Sequence, residues 1–236
     1  MKSVFLTLIS ALFIVSCSEK KSDSNTHITG NIKGFTNGML YLQKMNDSVL
    51  VTLDSVKMQS DSNFKFDFDL ESPEMMYLVI NRGVTNSIDN SLPVFVESGT
   101  IDVNTELKYF YANAKITGSK NHELYSQFQK INSKFKSEEL EISKEKFDAV
   151  RFNRLKDVDS INRKLASNIV RRYLYGINFA LNNKEYEVSP YVALSELKNA
   201  NPKYLDSIQR TMPPKVAESK YGKLFSAFVS DLKKNN

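Results

Sequence analysis

Few side chains in this 236-residue chain are equipped for covalent or proton-transfer chemistry. There is one cysteine, Cys17, and there are two histidines, His27 and His122. Cys17 follows Ile14-Val15-Ser16 at the end of an apolar run, Val4 to Val15, broken only by Thr7 and Ser10 and preceded by Lys2. That run is well short of the roughly 20 apolar residues that span a bilayer core, so it reads as a secretory signal of residues 1–16. An aliphatic residue at −3, a small residue at −1 and cysteine at +1 form the bacterial lipobox. The chemistry requires sulfur there: the thiol takes a diacylglyceryl group, and cleavage before Cys17 frees an amine for further acylation. Cys17 is therefore the expected lipidation site, and the membrane the expected partner through that lipid. Stable anchoring takes two or more chains, because one binds only reversibly.

A lipidated Cys17 leaves no thiol for a disulfide, a C-x-x-C pair or a cysteine metal site. His27 and His122 could in principle serve a Ser-His-Asp site. However, the chain has no G-x-S-x-G elbow, and an exposed or capping role is expected for each. Asp67 and Asp69 alternate on one strand without the loop that a calcium site needs, and solvated positions are expected for both. Met75-Met76 reads as core packing. Neither G-x-x-x-x-G-K-[ST] nor G-x-G-x-x-G occurs. No catalytic residue, cofactor or metal is expected.

The net charge of +5 includes Lys2, so the mature excess is about four, spread over a mixed surface. That is no nucleic-acid footprint, which needs clustering on one face. Arg151, Arg154, Arg163, Lys164, Arg171 and Arg172 make one long helical stretch basic, but Asp148, Asp157 and Asp159 interleave, and a solvated face is expected. With 41% hydrophobic residues, 15 Phe and 11 Tyr, the chain can build a substantial core.

The elements that position these residues divide the chain by period. "SEKKSDSNTH" begins with a polar stalk, residues 17–25. Residues 26–118 alternate with period two and turn often. Asn37-Gly38 gives a hairpin signal, Ser98-Gly99 another turn, and Phe64, Phe66, Phe68 and Leu70 share one face of a strand. Seven to nine strands are expected, forming an antiparallel β-sandwich or open barrel. Residues 119–236 turn helical. Leu124, Phe128, Ile131 and Phe135 form a stripe, and an uninterrupted pattern from about Ser143 to Asn182 predicts one long helix, bent near Gly176. Ser189-Pro190 and Asn201-Pro202 read as helix starts, and Lys233-Lys234 close a last helix. The fold class is α+β, with a C-terminal helical domain.

"ITGNIKGFTNGMLYLQ", "VTLDSVKMQSDSNFKFDFDLESPEMMYLVIN", "LPVFVESGTIDVN" and "ITGSKNHELYSQF" run in order, with Asp54-Ser55, Glu97-x-Gly99 and Gly118-x-x-Asn121. Together they resemble the N-terminal β-rich domain of unknown function in bacterial envelope lipoproteins that end in a thioredoxin-like, AhpC/TSA-type domain. "VSPYVALSEL" and "SKYGKLFSAF" are similar to the helical linker of those proteins. The resemblance implies fold and location: an envelope protein facing the periplasm, on the outer membrane in preference to the inner, with surface display open. Its redox cysteines have no counterpart here, so a thioredoxin domain is expected to be lacking and thiol–disulfide activity is disfavoured. The function expected is non-catalytic binding or scaffolding, with a possible envelope protein partner and no nucleic acid. The alternative is an accessory acting in trans with a thioredoxin-like oxidoreductase. A hydrolase using His27 or His122 is a third class.

Overall fold

The computed structural model describes residues 24–47, 49–81 and 88–234. Cys17, the signal and most of the stalk lie outside them. Eight strands come first among the described residues. They are β1 (Thr26–Lys33), β2 (Asn37–Asn46), β3 (Val49–Gln59), β4 (Asn63–Phe68), β5 (Glu74–Asn81), β6 (Ser91–Val96), β7 (Gly99–Glu106) and β8 (Lys115–Thr117). They form two four-stranded sheets, ordered β4-β1-β7-β8 and β3-β2-β5-β6. The result is an open sandwich, and the barrel alternative is excluded. The first sheet is mixed, because β1 and β7 run parallel.

Period-two alternation sends Ile28, Ile32, Phe64, Phe66, Ile101 and Val103 inward from the first sheet, against Leu40, Leu42, Leu78, Ile80, Val94 and Val96 from the second. The phenylalanine face of β4 forms as the alternation demands. In β5 and β6 the intervening residues are also buried: Met75 and Phe95 point into the helical layer, beside Leu124, Phe128, Val188 and Tyr221. Burial on both faces explains why "MMYLVIN" and "LPVFV" read as nearly continuous apolar runs.

Asn37-Gly38 does not make the expected hairpin. β1 and β2 belong to different sheets, and these two residues open β2. The glycine is needed because a Cβ on Gly38 would stand 2.6 Å from the buried Phe35 ring. The hairpin lies one strand later, between β2 and β3, where Asp47 has φ 52°. Ser98-Gly99 likewise joins strands of different sheets.

Helices follow: α1 (Lys120–Arg151), α2 (Leu155–Asn182), α3 (Val188–Glu196), α4 (Pro202–Thr211), α5 (Pro214–Ala217) and α6 (Lys220–Lys234). The long helix expected from Ser143 to Asn182 is instead two. α1 ends in a Schellman motif with Asn153 at φ 55°: Arg154 N–H donates to the Ala149 carbonyl, and Asn153 N–H to that of Val150. Hydrophobic period runs through this turn because both helices bury Ile142, Ala149 and Ile161 against each other. Gly176 lies inside the continuous helix α2. It admits Leu197, whose Cδ2 would lie 2.7 Å from an added Cβ. The basic stretch meets acids on α1, with Arg171–Glu138 at 2.7 Å, Lys164–Glu145 at 3.1 Å and Arg172–Glu139 at 3.4 Å. Ser189, expected as a cap, lies inside α3 and donates to the Ala180 carbonyl at 2.8 Å. Asn201 does cap α4, accepting from Lys203 N–H at 3.0 Å, with Pro202 at the first helical position.

Gly118 turns the chain from β8 into α1 at φ +91°, and a Cβ there would sit 2.1 Å from the Thr100 carbonyl oxygen. Gly118→Ala should therefore destabilise the fold by roughly 1–3 kcal/mol. Gly99→Ala, at φ +121° with open space around it, should cost less. Urea unfolding of the two variants checks the order.

Candidate functional site

The sheet and the helices meet at the N-terminus of α1. Its first backbone N–H groups need partners from outside the helix, and each finds one. Lys120 N–H donates to Glu97 Oε1 at 2.7 Å, Asn121 N–H to Glu97 Oε2 at 3.2 Å, and His122 N–H to Ser119 Oγ at 3.0 Å. A carboxylate here also opposes the positive end of the helix dipole. Glu97, two residues before the turn glycine Gly99, is thus a capping side chain borrowed from the end of β6.

Asn121 extends the contact to a third element. It is 2% exposed, and Glu187, at the start of α3, is 3% exposed. The Asn121 amide donates to Glu97 Oε2 at 2.7 Å and to Glu187 Oε2 at 2.9 Å, while its carbonyl accepts from Val188 N–H at 2.8 Å. Two acceptors and one donor fix the orientation of the amide. Glu97-x-Gly99 and Gly118-x-x-Asn121 are therefore two halves of one joint. Glu187 carried no recognisable signal, since its partner lies 66 residues away.

His122 corrects the sequence reading. It is buried, not exposed, and Ser119 is the cap, because the first turn of α1 packs on β6. Its Nδ1 lies 3.2 Å from Phe95 N, which can only donate, so Nδ1 must accept. Burial lowers its pKa to about 4, so the ring is neutral near pH 7. A neutral imidazole accepting at Nδ1 carries its proton on Nε2. Ser126 Oγ, 3.3 Å from Nε2, therefore receives a hydrogen bond and cannot surrender its own proton there. The Ser126–His122 contact has the wrong polarity for an activated nucleophile. Both residues line a cleft of about 390 Å³ with Pro93, Tyr111, Tyr125 and Gln129. Burial pushes Tyr125 up to about 12, leaving it neutral too. Neither His122 nor Tyr125 is therefore poised to take a proton in this cleft near pH 7.

His27 lies on the other sheet. Its Nδ1 is 2.6 Å from Asp67 Oδ1 across the β1–β4 pair. That hydrogen bond, with help from Lys65 at 3.0 Å, holds the Asp67 carboxyl below its usual range. Asp69 Oδ1 accepts from Asn25 N–H at 3.1 Å. No group of three potential metal ligands occurs among the described residues. Met75 and Met76 are buried, and Met75 N–H donates to the Tyr221 hydroxyl at 3.0 Å. Tyr221, Tyr191, Tyr125 and Phe95 meet edge to face, with centroids 4.9–5.9 Å apart, sealing helices onto sheet.

Residues 26–125 match the family described as Domain of unknown function (DUF4369). The match takes in both sheets and ends in the first turns of α1, so it contains Glu97, Gly118 and Asn121 but not Glu187. No curated protein and no solved structure matches the chain. No described helix is long and apolar enough to cross a membrane.

Two outcomes test this geometry. His122 has a folded pKa of about 4 against 6.5 for the free side chain, so between these values the unfolded chain binds more protons. Stability should be full above pH 6.5 and fall by roughly 3 kcal/mol as pH drops to about 4. His122→Asn, whose carbonyl can still accept from Phe95, should flatten that dependence in urea titrations. Asn121→Leu should cost about 3 kcal/mol, because Glu187 and Val188 N–H lose buried partners. A loss under 1 kcal/mol would remove the joint's claimed importance.

Proposed function

We propose that the protein is an envelope lipoprotein held to a membrane by acyl chains on Cys17, facing the periplasm and serving as a non-catalytic binding or scaffolding module. The observation that carries the anchor is Ile14-Val15-Ser16-Cys17 at the end of a short apolar run. The non-catalytic reading is supported by the proton arrangement at His122, where the Ser126–His122 contact points the wrong way. Binding is supported by the distal end of the α1–α2 hairpin, where Phe147, Val150, Phe152 and Leu155 are each more than half exposed. Apolar surface grouped in this way characterises docking sites. The resemblance of the β-rich segment and of "VSPYVALSEL" and "SKYGKLFSAF" to lipoproteins that end in a thioredoxin-like domain supports a second reading, an accessory acting in trans with a thioredoxin-like oxidoreductase. Co-purification of such a protein with the membrane-extracted chain would favour it over a scaffold of other purpose.

Cys17→Ala should abolish incorporation of labelled palmitate and move the protein from the membrane to the soluble fraction. Continued labelling of that variant would overturn the anchor.

A further inference from the structure

Strand register sorts the sandwich into two ends. Thr26, the start of β1, pairs with Phe68 at the end of β4 and with Gly99 at the start of β7. In the second sheet Glu74, the start of β5, pairs with Val96 at the end of β6, and Lys44 near the end of β2 pairs with Met76. Only two residues separate Val96 from Gly99, and only five separate Phe68 from Glu74, so these positions share one end. The β2–β3 hairpin therefore leaves the body where the chain enters it. The entry point is fixed, because the Asn25 amide donates to the Leu70 carbonyl at 2.9 Å and its own carbonyl accepts from Leu70 N–H at 2.8 Å. Seven residues lie between Cys17 and Asn25, so the lipid-bearing residue is eight steps from the clamp, a reach of about 30 Å at most.

The same end carries an apolar arm. Met45 and Asn46 run beyond the pairing with β5 and have as strand partners only Leu50 and Val49 of β3, an edge strand, while the Met45 carbonyl accepts from Lys220 Nζ at 3.4 Å. Val49, Leu50, Val51 and Leu53 are 40–66% exposed, and no charge interrupts Val49–Leu53. Free sheet edges are ordinarily blunted by charge or proline, so this one is built to be covered. Beside it lies a cleft of about 510 Å³ lined by Met45, Tyr77, Tyr191, Tyr221 and the exposed Leu224, with Lys220 and Lys223 at the same place. Lys220 pairs with Glu74, and Lys223 has no acidic partner among the described residues. Apolar side chains backed by tyrosines and flanked by lysines suit the level of lipid headgroups.

We propose that this arm, with the mouth of the tyrosine-lined cleft, rests on the bilayer that holds the Cys17 lipid. The inference depends on the anchor reading for its choice of occupant: a tether of at most about 30 Å ends at this face. Asp47, in the turn at positive φ, keeps the tip in water, so the arm lies along the surface and does not enter tip first. Tether and arm then make two contacts, which fix the body's orientation. α1 starts at this end beside Glu97, runs back past Pro93 and Leu92, and continues for 32 residues. At 1.5 Å per residue that is about 48 Å, so the exposed tip around Phe152 is held far from the lipid.

Cys17 is the only cysteine and the sequence has no tryptophan. The mature chain can thus be coupled through that thiol to maleimide-headgroup lipid in phosphatidylcholine–phosphatidylglycerol vesicles. Single-tryptophan variants then report contact by quenching from lipids brominated near the headgroup. Leu50→Trp should lose at least half its emission, whereas Phe152→Trp should be unchanged; Val49→Trp repeats the reading if Leu50→Trp folds poorly. Equal quenching at positions 50 and 152 overturns the proposal. So does a dimer of the uncoupled chain that Val51→Asp dissolves, since the arm would then belong to a second copy. Because coupling is chemical, a failed quench indicts the arm alone, while palmitate labelling of Cys17→Ala indicts the anchor alone.

Discussion

Three segments far apart in the chain are joined through the side-chain amide of Asn121. Its nitrogen serves two carboxylates, Glu97 from the end of β6 and Glu187 from the start of α3, and its oxygen takes Val188 N–H. Buried in this way, each of these groups would be costly to leave unpaired, so none of the three elements can shift without loss to the others. Glu97 also closes the first turn of α1, which sets where that helix leaves the sheet. From that point α1 must run along β6, and the positions of α2 and α3 follow from packing on α1.

Sheet asymmetry follows from the same joint. β5 and β6 are covered by the first sheet on one face and by helices on the other, while β3, at the far edge, has no helix over Val49–Ser55 and stays exposed. The aromatic cluster of Phe95, Tyr125, Tyr191 and Tyr221 lies on the covered side. Because the helices cover only half of the second sheet, one end of the molecule keeps an apolar arm and a tyrosine-lined cleft. The helical hairpin carries the other apolar group, around Phe147 and Phe152, well beyond the opposite end.

The histidines make the same point chemically. His27 gives its position to a cross-strand pair with Asp67, and His122 spends Nδ1 on a backbone N–H of β6. Both are used to fasten strands and helices. Burial that lowers the His122 pKa also removes it as a base near neutral pH, since its remaining nitrogen already carries the proton.

Much was legible in the sequence because it is local. Period-two and period-3.6 patterns report which side of an element is buried, so the division near Gly118, the inward face of β4 and the α1 stripe followed from residues a few positions apart. The Asn201-Pro202 start is equally local. Asn37-Gly38 misled because turn propensity does not say whether the flanking strands pair; only the placement of β1 and β2 in separate sheets decided that. The Asn153 break was hidden because both helices keep the same apolar period across it, and the close approach of Leu197 to Gly176 was hidden because the two are distant in the chain. The sequence by itself determined the composition of each layer and which faces of the strands and helices are apolar. Only the tertiary structure decided that Glu97, Asn121 and Glu187 meet, that His122 is buried with its proton on Nε2, and that the β2–β3 hairpin shares an end with the start of β1. Those facts depend on contacts between residues tens of positions apart, which chain-local periodicity does not encode.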